Sequence, residues 1–162
     1  MVQKVTEEIR AYDREIEEVA ATRYPEVRHL SQVTGVGTLT ALCFVLVLQD
    51  PHRFTSSRAV GAYVGLVPAQ DQSGETDPQL RISRAGNEML RRLLVQAAHY
   101  QLGPFGPDSD LRRWGLARAA RGGTIAKKKA VIGVARKLAV LLHRLWITGD
   151  EYQPLRNQQS AA

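Results

Sequence analysis

The chain has 162 residues, 44% of them hydrophobic, with a formal net charge of +6 and a sequence pI near 9.8. This fits one modest domain, or a small domain with an extension, and favours an anionic partner such as nucleic acid. The single cysteine, Cys43, excludes a disulfide framework and a cysteine-based zinc site. The first ten residues are polar and the longest apolar run is too short to span a bilayer, so the chain is predicted to be a soluble cytoplasmic protein with no membrane partner.

The first predicted element is a helix over residues 2–23, which Pro25 ends. Its apolar residues follow the 4-3-4-3 spacing of a coiled-coil seam and are Val5, Ile9, Tyr12, Ile16 and Val19. Because two to three heptads form only a weak coil alone, the helix is expected to need a partner. Residues 1–25 are therefore predicted to be either the end of a longer coiled-coil-like helix or a helix that pairs with another, and the seam is a candidate assembly element.

Residues 26–48 predict a helix-hairpin-helix. A short helix over about residues 26–32 leads to a turn containing Gly35 and Gly37, and Thr38 can cap the apolar helix that follows. In such a turn, backbone N–H groups and the second helix's N-terminus point outward together and suit a phosphate oxygen. Gly35, Gly37 and Thr38 are accordingly candidate DNA-binding residues, although the spacing alone is equally compatible with a plain helical hairpin.

A further helix, ending at about Val64, is followed by an irregular loop, Ala69 to Leu80, that can form a short hairpin. The loop contains Ser73, followed by Gly74. A serine hydroxyl beside a glycine can approach a phosphorus atom closely, but a base or a metal would have to activate it. Without further context, a Ser-Gly pair in a loop is most often only a turn.

Most of the positive charge lies on three predicted helices in the second half, the last of them capped by Thr124 and ended by Gly149. From Arg81 to Arg144, fourteen lysines and arginines are opposed by only three acidic residues. Nucleic-acid phosphates would explain this imbalance, and a solvated basic face is the alternative. The candidate DNA-binding residues here are Arg84, Arg91, Arg92, Lys127, Lys128 and Lys129.

The predicted fold class is therefore mainly α: a helical bundle with a helix-hairpin-helix element and one irregular loop or short hairpin, preceded by a coiled-coil-like helix. The main domain is expected to span residues 26–152, and residues 153–162 are expected to be a disordered tail. The four histidines are scattered without ligand spacing, and no phosphate-binding glycine-rich loop or dinucleotide fingerprint is present, so no metal or cofactor site is expected in this chain.

Several short sequence motifs occur in a fixed order, and the ordered set identifies a protein family more specifically than any one motif does. They are Val33-Thr-Gly-Val-Gly-Thr-Leu-Thr-Ala41, Phe54 with Ser57-Arg-Ala-Val60, Ala62-Tyr-Val-Gly-Leu-Val-Pro68, Ser73-Gly74, Ile82-Ser-Arg-Ala-Gly-Asn87 with Leu90-Arg-Arg-Leu-Leu94, and Ala135-Arg-Lys-Leu138. Over about residues 30–152, this set resembles the carboxy-terminal domain of the IS110 insertion-sequence transposase family, also grouped with IS116 and IS902. These are DEDD-type transposases, described as bridge-RNA-guided serine recombinases.

The resemblance implies a serine that attacks DNA to form a phosphoserine link, and Ser73 matches that position. It also implies partners, namely DNA and a guide RNA, and an amino-terminal RuvC-like domain whose acidic tetrad binds Mg²⁺. A coiled-coil segment follows that domain in the family, residues 1–25 resemble its end, and the resemblance implies a homo-oligomer, a dimer or tetramer, which this helix can help to form. The RuvC-like domain has no counterpart in this sequence, so the isolated chain is expected to be inactive. The alternatives are a non-catalytic DNA-binding remnant or regulator, and a helical assembly protein.

Overall fold

The computed structural model describes residues 1–69 and 81–159, and within them it confirms the mainly helical fold. A single 3-10 turn, Pro51–Arg53, lies between the third and fourth helices. The helices are α1 (Val2–Arg23), α2 (Glu26–Leu30), α3 (Thr38–Leu48), α4 (Ser57–Tyr63), α5 (Glu88–Leu102), α6 (Asp110–Ala119), α7 (Thr124–Thr148) and α8 (Arg156–Gln159).

Helix α7 is the centre of the bundle and packs against α2, α4, α5 and α6. Its apolar residues recur every three or four positions, so that Val134, Leu138 and Leu142 form one fully buried stripe. Helix α3 is apolar around most of its circumference and most of its residues are buried, including Phe44, whereas Leu39 and Leu46 are exposed. Each fully buried leucine or phenylalanine contributes about 1.5–3 kcal/mol to folding by removal from water.

One buried histidine joins three elements of the bundle. His143 of α7 is fully buried, with Nε2 lying 2.7 Å from the carbonyl oxygen of Pro51 and Nδ1 2.9 Å from the hydroxyl of Ser57. Because a carbonyl oxygen can only accept, Nε2 carries the proton in the neutral ring, and Nδ1 accepts from the serine hydroxyl. The ring of Phe54 packs edge-on against the imidazole at 5.5 Å.

Only one end of α1 belongs to this core. Ala20 is buried and Ile16 packs against the core, whereas the side chains of Val5, Ile9 and Tyr12 are 50%, 54% and 66% exposed. The predicted seam therefore has no partner among the described residues over its first half. Self-association through this helix stays a prediction.

Two predicted helix caps are wrong. Thr38 and Thr124 are the first residues of α3 and α7, and the capping positions are Gly37 and Gly123, with no side-chain cap bond. At α6 the cap is Ser109, whose hydroxyl accepts a hydrogen bond from the backbone N–H of Arg112 at 3.0 Å. The predicted left-handed Gly149 at the end of α7 is confirmed, with φ of 69°.

The tail expected to be disordered from residue 153 instead contains α8 at Arg156–Gln159. It is held against the start of α6, because Asp110 donates its backbone N–H to the carbonyl oxygen of Pro154 at 2.7 Å, and its carboxylate accepts from the N–H of Asn157 at 2.9 Å. Residues 160–162 lie outside the described residues. Within residues 1–69 and 81–159, no helix has the length and apolar character needed to cross a lipid bilayer.

Candidate nucleic-acid interface

The two glycines of the predicted hairpin turn have different roles. Gly35 has a φ of +81°, and a Cβ atom there would lie 3.1 Å from the carbonyl oxygen of Ala97 and 3.2 Å from the ring of Tyr100. The turn therefore packs directly on α5, in a conformation that favours glycine. Gly37 has a φ of −85°, and nothing lies within 4 Å of the corresponding Cβ position, so the N-terminus of α3 faces open space.

A side chain from α5 also fixes this turn. Gln101 is buried, and its Nε2 donates a 2.7 Å hydrogen bond to the carbonyl oxygen of Thr34. The turn, α5 and the start of α3 line an open groove of about 710 Å³. The first N–H groups of a helix have no intrahelical partner, so those of α3 are available for an anion in this groove.

A short antiparallel stem flanks the segment that contains Ser73, which the sequence predicts to be a loop. Pro68 pairs with Ile82 in an isolated bridge, and the N–H of Ala69 donates to the carbonyl oxygen of Arg81 at 2.9 Å. The residues on either side of this segment are thus held side by side, and a hairpin within it stays a prediction. Ser73 itself lies outside the described residues, as do all of residues 70–80.

Two glycines, one before and one after this stem in the sequence, allow the two chain segments to cross in direct backbone contact. Gly65 and Gly86 both have positive φ, +78° and +79°. A Cβ atom on Gly65 would collide with the backbone of Ala85, and one on Gly86 would collide with the carbonyl oxygen of Tyr63. The chain around Gly65 and the chain around Gly86 are therefore in direct backbone contact where they cross.

Arg91 stabilises this crossing. Its Nη1 lies 3.3 Å from the carbonyl oxygen of Val64 and 3.2 Å from those of Arg84 and Ala85. The guanidinium is thus engaged by the protein's own backbone. The neighbouring Arg92 is exposed, as is Arg84, which has a positive φ of 53°.

The stem and the hairpin turn lie on opposite flanks of α5. A second open pocket, of about 440 Å³, is lined by Ile82 of the stem and by residues of α5 that include Arg92, Gln96 and His99. Gln96 also lines the groove beside the hairpin turn. One surface therefore runs across α5 from the turn to the base of the Ser73 loop, and we call it the α5 surface.

The predicted site residues fall into two groups. Gly35, Gly37, Arg84, Arg91 and Arg92 lie on or beside the α5 surface, and Thr38 starts the helix that opens onto it. Lys127, Lys128 and Lys129 are instead exposed on the first turns of α7, at the α6–α7 end of the bundle.

Sequence reasoning missed Gln96 and His99, which line the α5 surface. The only signal for them is their helical spacing from Arg92, which places all three on the polar side of this amphipathic helix. Over the described part of the chain, no three His, Cys, Asp or Glu side chains are grouped so as to hold a metal ion.

The segment of the chain that forms this surface also matches a known protein family. Residues 27–110 match the family described as "Transposase IS116/IS110/IS902 family". This range begins in α2, includes the hairpin turn, the loop and all of α5, and ends at the first residue of α6. It thus contains every residue that lines the α5 surface.

Individual relatives agree with this match. The chain is 33% identical over 148 residues to the transposase for insertion sequence element IS1111A of Coxiella burnetii, covering 91% of this chain and 40% of that protein. It is 39% identical over 92 residues to the transposase for insertion sequence element IS1328 of Yersinia enterocolitica, covering 57% and 27%.

A third relative has a different name. The chain is 28% identical over 113 residues to the pilin gene-inverting protein of Moraxella lacunata, covering 69% of this chain and 34% of that protein. In each of the three comparisons, the chain spans 40% or less of the relative's length.

Proposed function

The chain belongs to the IS116/IS110/IS902 transposase family, and from this premise we propose that it is the DNA-engaging, serine-bearing part of an insertion-sequence transposase. The observation that carries the proposal is the α5 surface, which connects an open helix N-terminus at Gly37 to the base of the loop containing Ser73. A strand of nucleic acid lying across α5 would contact both. This arrangement supports a role in DNA transposition.

Binding at this surface would depend on phosphates and not on base sequence. The free N–H groups at the start of α3 suit a phosphate oxygen, and Arg84 and Arg92 supply exposed positive charge near the stem. Arg91 contributes indirectly, because its hydrogen bonds hold the crossing below the loop. The same contacts would hold a guide RNA, whose backbone carries the same charge.

The chemical step proposed for Ser73 is nucleophilic attack on a DNA phosphodiester. Its Oγ forms a bond to phosphorus, the bond from phosphorus to the leaving strand's oxygen breaks, and one strand end becomes joined to the serine. The hydroxyl proton passes to a base, and the leaving oxygen gains a proton. Arginines that hold the phosphate stabilise the charge that develops on its oxygens.

The Mg²⁺ implied by the family resemblance does not fit the described residues of this chain, which hold no cluster of three ligating side chains. No step proposed for this chain therefore passes through the ion. We assign it to the RuvC-like domain that the resemblance implies for full-length enzymes.

The nucleophile is tested in a full-length family member that carries alanine at the position matching Ser73. We expect loss of strand exchange and of the covalent protein–DNA adduct, detected on denaturing gels. The matched control is alanine at the position of Ser83, whose hydroxyl accepts only from the N–H of Ala85 at 3.4 Å. Strand exchange that persists without the Ser73 hydroxyl would show that the nucleophile is wrongly assigned.

A second candidate function is helical assembly, favoured by the exposed seam of α1. Val5, Ile9 and Tyr12 are each at least half exposed, which is costly for an apolar stripe unless another helix covers it. Sedimentation of the chain and of Ile9→Lys separates the two roles. An assembly protein would associate through this seam and bind no DNA, whereas the proposed transposase segment binds DNA whether or not it associates.

A further inference from the structure

The α6–α7 pair carries an unusual concentration of positive charge. From residue 111 to residue 149, the sequence contains ten lysines and arginines and no acidic residue. Within this pair, Cζ of Arg118 and Nζ of Lys137 each lie 4.7 Å from the ring centre of Trp114. One indole thus holds a cation from each helix within the range of a cation–π interaction.

Close helix packing fixes the indole in place. A Cβ atom on Gly133 would lie 2.8 Å from Cη2 of Trp114, so the ring lies directly on the α7 backbone. A Cβ on Gly115 would lie 2.6 Å from Cγ2 of Val134, so the two helices approach as closely as glycine allows. Trp114 is half-buried by these contacts, whereas Arg118 and Lys137 remain exposed.

The two cations have no anionic partner in the described part of the chain. Neither forms an ion pair there, and each is held near the other by the same ring. Both lie 4.7 Å from one centroid, so their separation is at most twice that distance, and two exposed like charges this close create a positive potential that attracts an anion. Arg121, one turn after Arg118, extends the positive strip toward the start of α7.

We propose that Trp114, Arg118 and Lys137 form a second phosphate-binding site, which holds the sugar–phosphate backbone of a nucleic acid against α6 and α7. The proposal rests on the proposed nucleic-acid-binding function and assigns it a surface distinct from the α5 surface. Arg118 and Lys137 contact phosphate, and Trp114 positions them.

The test is a binding titration of the full chain with a fluorescent 20-base-pair DNA duplex and an RNA duplex of the same sequence. The variant Arg118→Gln/Lys137→Gln removes two charges, and Arg10→Gln/Arg14→Gln on α1 removes the same charge elsewhere. We expect the first to weaken binding about tenfold at 0.1 M salt and to reduce the salt slope by about 1.8, since each phosphate contact contributes about 0.9. The α1 control is expected to change affinity less than twofold.

Two further variants test the positioning role of the ring. Trp114→Phe keeps an aromatic face on Gly133 and is expected to bind within twofold of the unchanged chain. Trp114→Leu keeps every charge but removes the ring, and about threefold weaker binding is expected. Equal binding by the Leu variant and the unchanged chain would contradict the positioning role.

The outcomes distinguish this site from the proposed function. If the unchanged chain binds neither duplex at low salt, the proposed function fails. If it binds but the Arg118/Lys137 variant behaves like the α1 control, the second site alone fails. A loss confined to the DNA duplex or to the RNA duplex supports the site and identifies which backbone occupies it.

Discussion

The guanidinium of Arg91 and the carbonyl oxygen of Val64, twenty-seven residues apart in sequence, lie 3.3 Å from each other. This hydrogen bond joins α5 to the point where the chain leaves α4 for the stem of the Ser73 loop. The same Nη1 also contacts the carbonyl oxygens of Arg84 and Ala85. Two adjacent arginines therefore differ in role: Arg91 supports the loop base, and Arg92 faces solvent.

Substituting these two arginines should separate stability from binding. Arg91→Ala is expected to lower the free energy of unfolding by about 2 kcal/mol, because it removes a charged donor from three carbonyl oxygens. Arg92→Gln is expected to change it by less than about 0.5 kcal/mol, as is usual at exposed positions. Urea unfolding followed by circular dichroism measures both. Equal effects would contradict the distinction.

The hairpin turn offers a matched glycine pair. Gly35→Ala is expected to destabilise the chain by about 1–3 kcal/mol, because its φ is +81° and the added methyl group would press on Ala97 and Tyr100. Gly37→Ala should cost less, no more than about 1 kcal/mol, since its φ is negative and its surroundings are open, and only the weaker capping preference of alanine opposes the change. Thermal unfolding of the two variants gives the comparison, and a more severe effect at Gly37 would refute this view of the turn.

His143 should be essential to the core. His143→Leu keeps most of the volume but leaves the carbonyl oxygen of Pro51 and the hydroxyl of Ser57 without their buried partner. A loss of about 2–4 kcal/mol in the free energy of unfolding is expected. The exposed His99 is the control, and His99→Gln should unfold at the same urea concentration as the unchanged chain. An unchanged midpoint for His143→Leu would rule out a stabilising role for this pair of hydrogen bonds.

The ion pair beside α6 predicts a defined pH dependence. The side-chain hydrogen bond from Arg113, 2.9 Å from Nε to the Asp108 carboxylate, lowers the pKa of Asp108 below its ordinary value. The pair therefore contributes to stability above the ordinary carboxyl pKa of about 4, and that contribution is lost as the pH falls through the lower folded-state pKa.

An NMR titration of the Asp108 carboxyl group tests this assignment. The pKa should return toward its ordinary value in Arg113→Gln, because the donor of the strongest hydrogen bond is gone. The effect on stability should be small, since both side chains are about half exposed. A pKa that is the same in both proteins would show that Arg113 is not the cause.

The helices could be predicted from sequence because their signals are local. The apolar periodicity of α7 and the left-handed Gly149 that ends it depend only on residues within a few turns. The caps are an exception, because the sequence predicts Thr38 and Thr124 as the caps of α3 and α7. Each of these threonines is instead the first residue of its helix. The preceding glycine takes the capping position in both cases.

The candidate sites could not be predicted to the same depth, since their contacts are not local. Nothing near Arg91 in the sequence indicates that Gly65 and Gly86 let two backbones cross within its reach. Likewise, the cation from α7 reaches Trp114 only because Gly115 and Gly133 bring the two helices together. The sequence identified the abundance of cations, and the fold decides which of them face solvent.

The most direct test of the account is the salt dependence of DNA binding by this chain and by Arg84→Gln/Arg92→Gln. The logarithm of the binding constant for a 20-base-pair duplex should fall linearly with the logarithm of salt concentration from 50 to 200 mM. Its slope should be about −3 to −5, and about 1.8 units shallower in the variant. A slope near zero, or the same slope for both proteins, would contradict a phosphate-binding surface across α5.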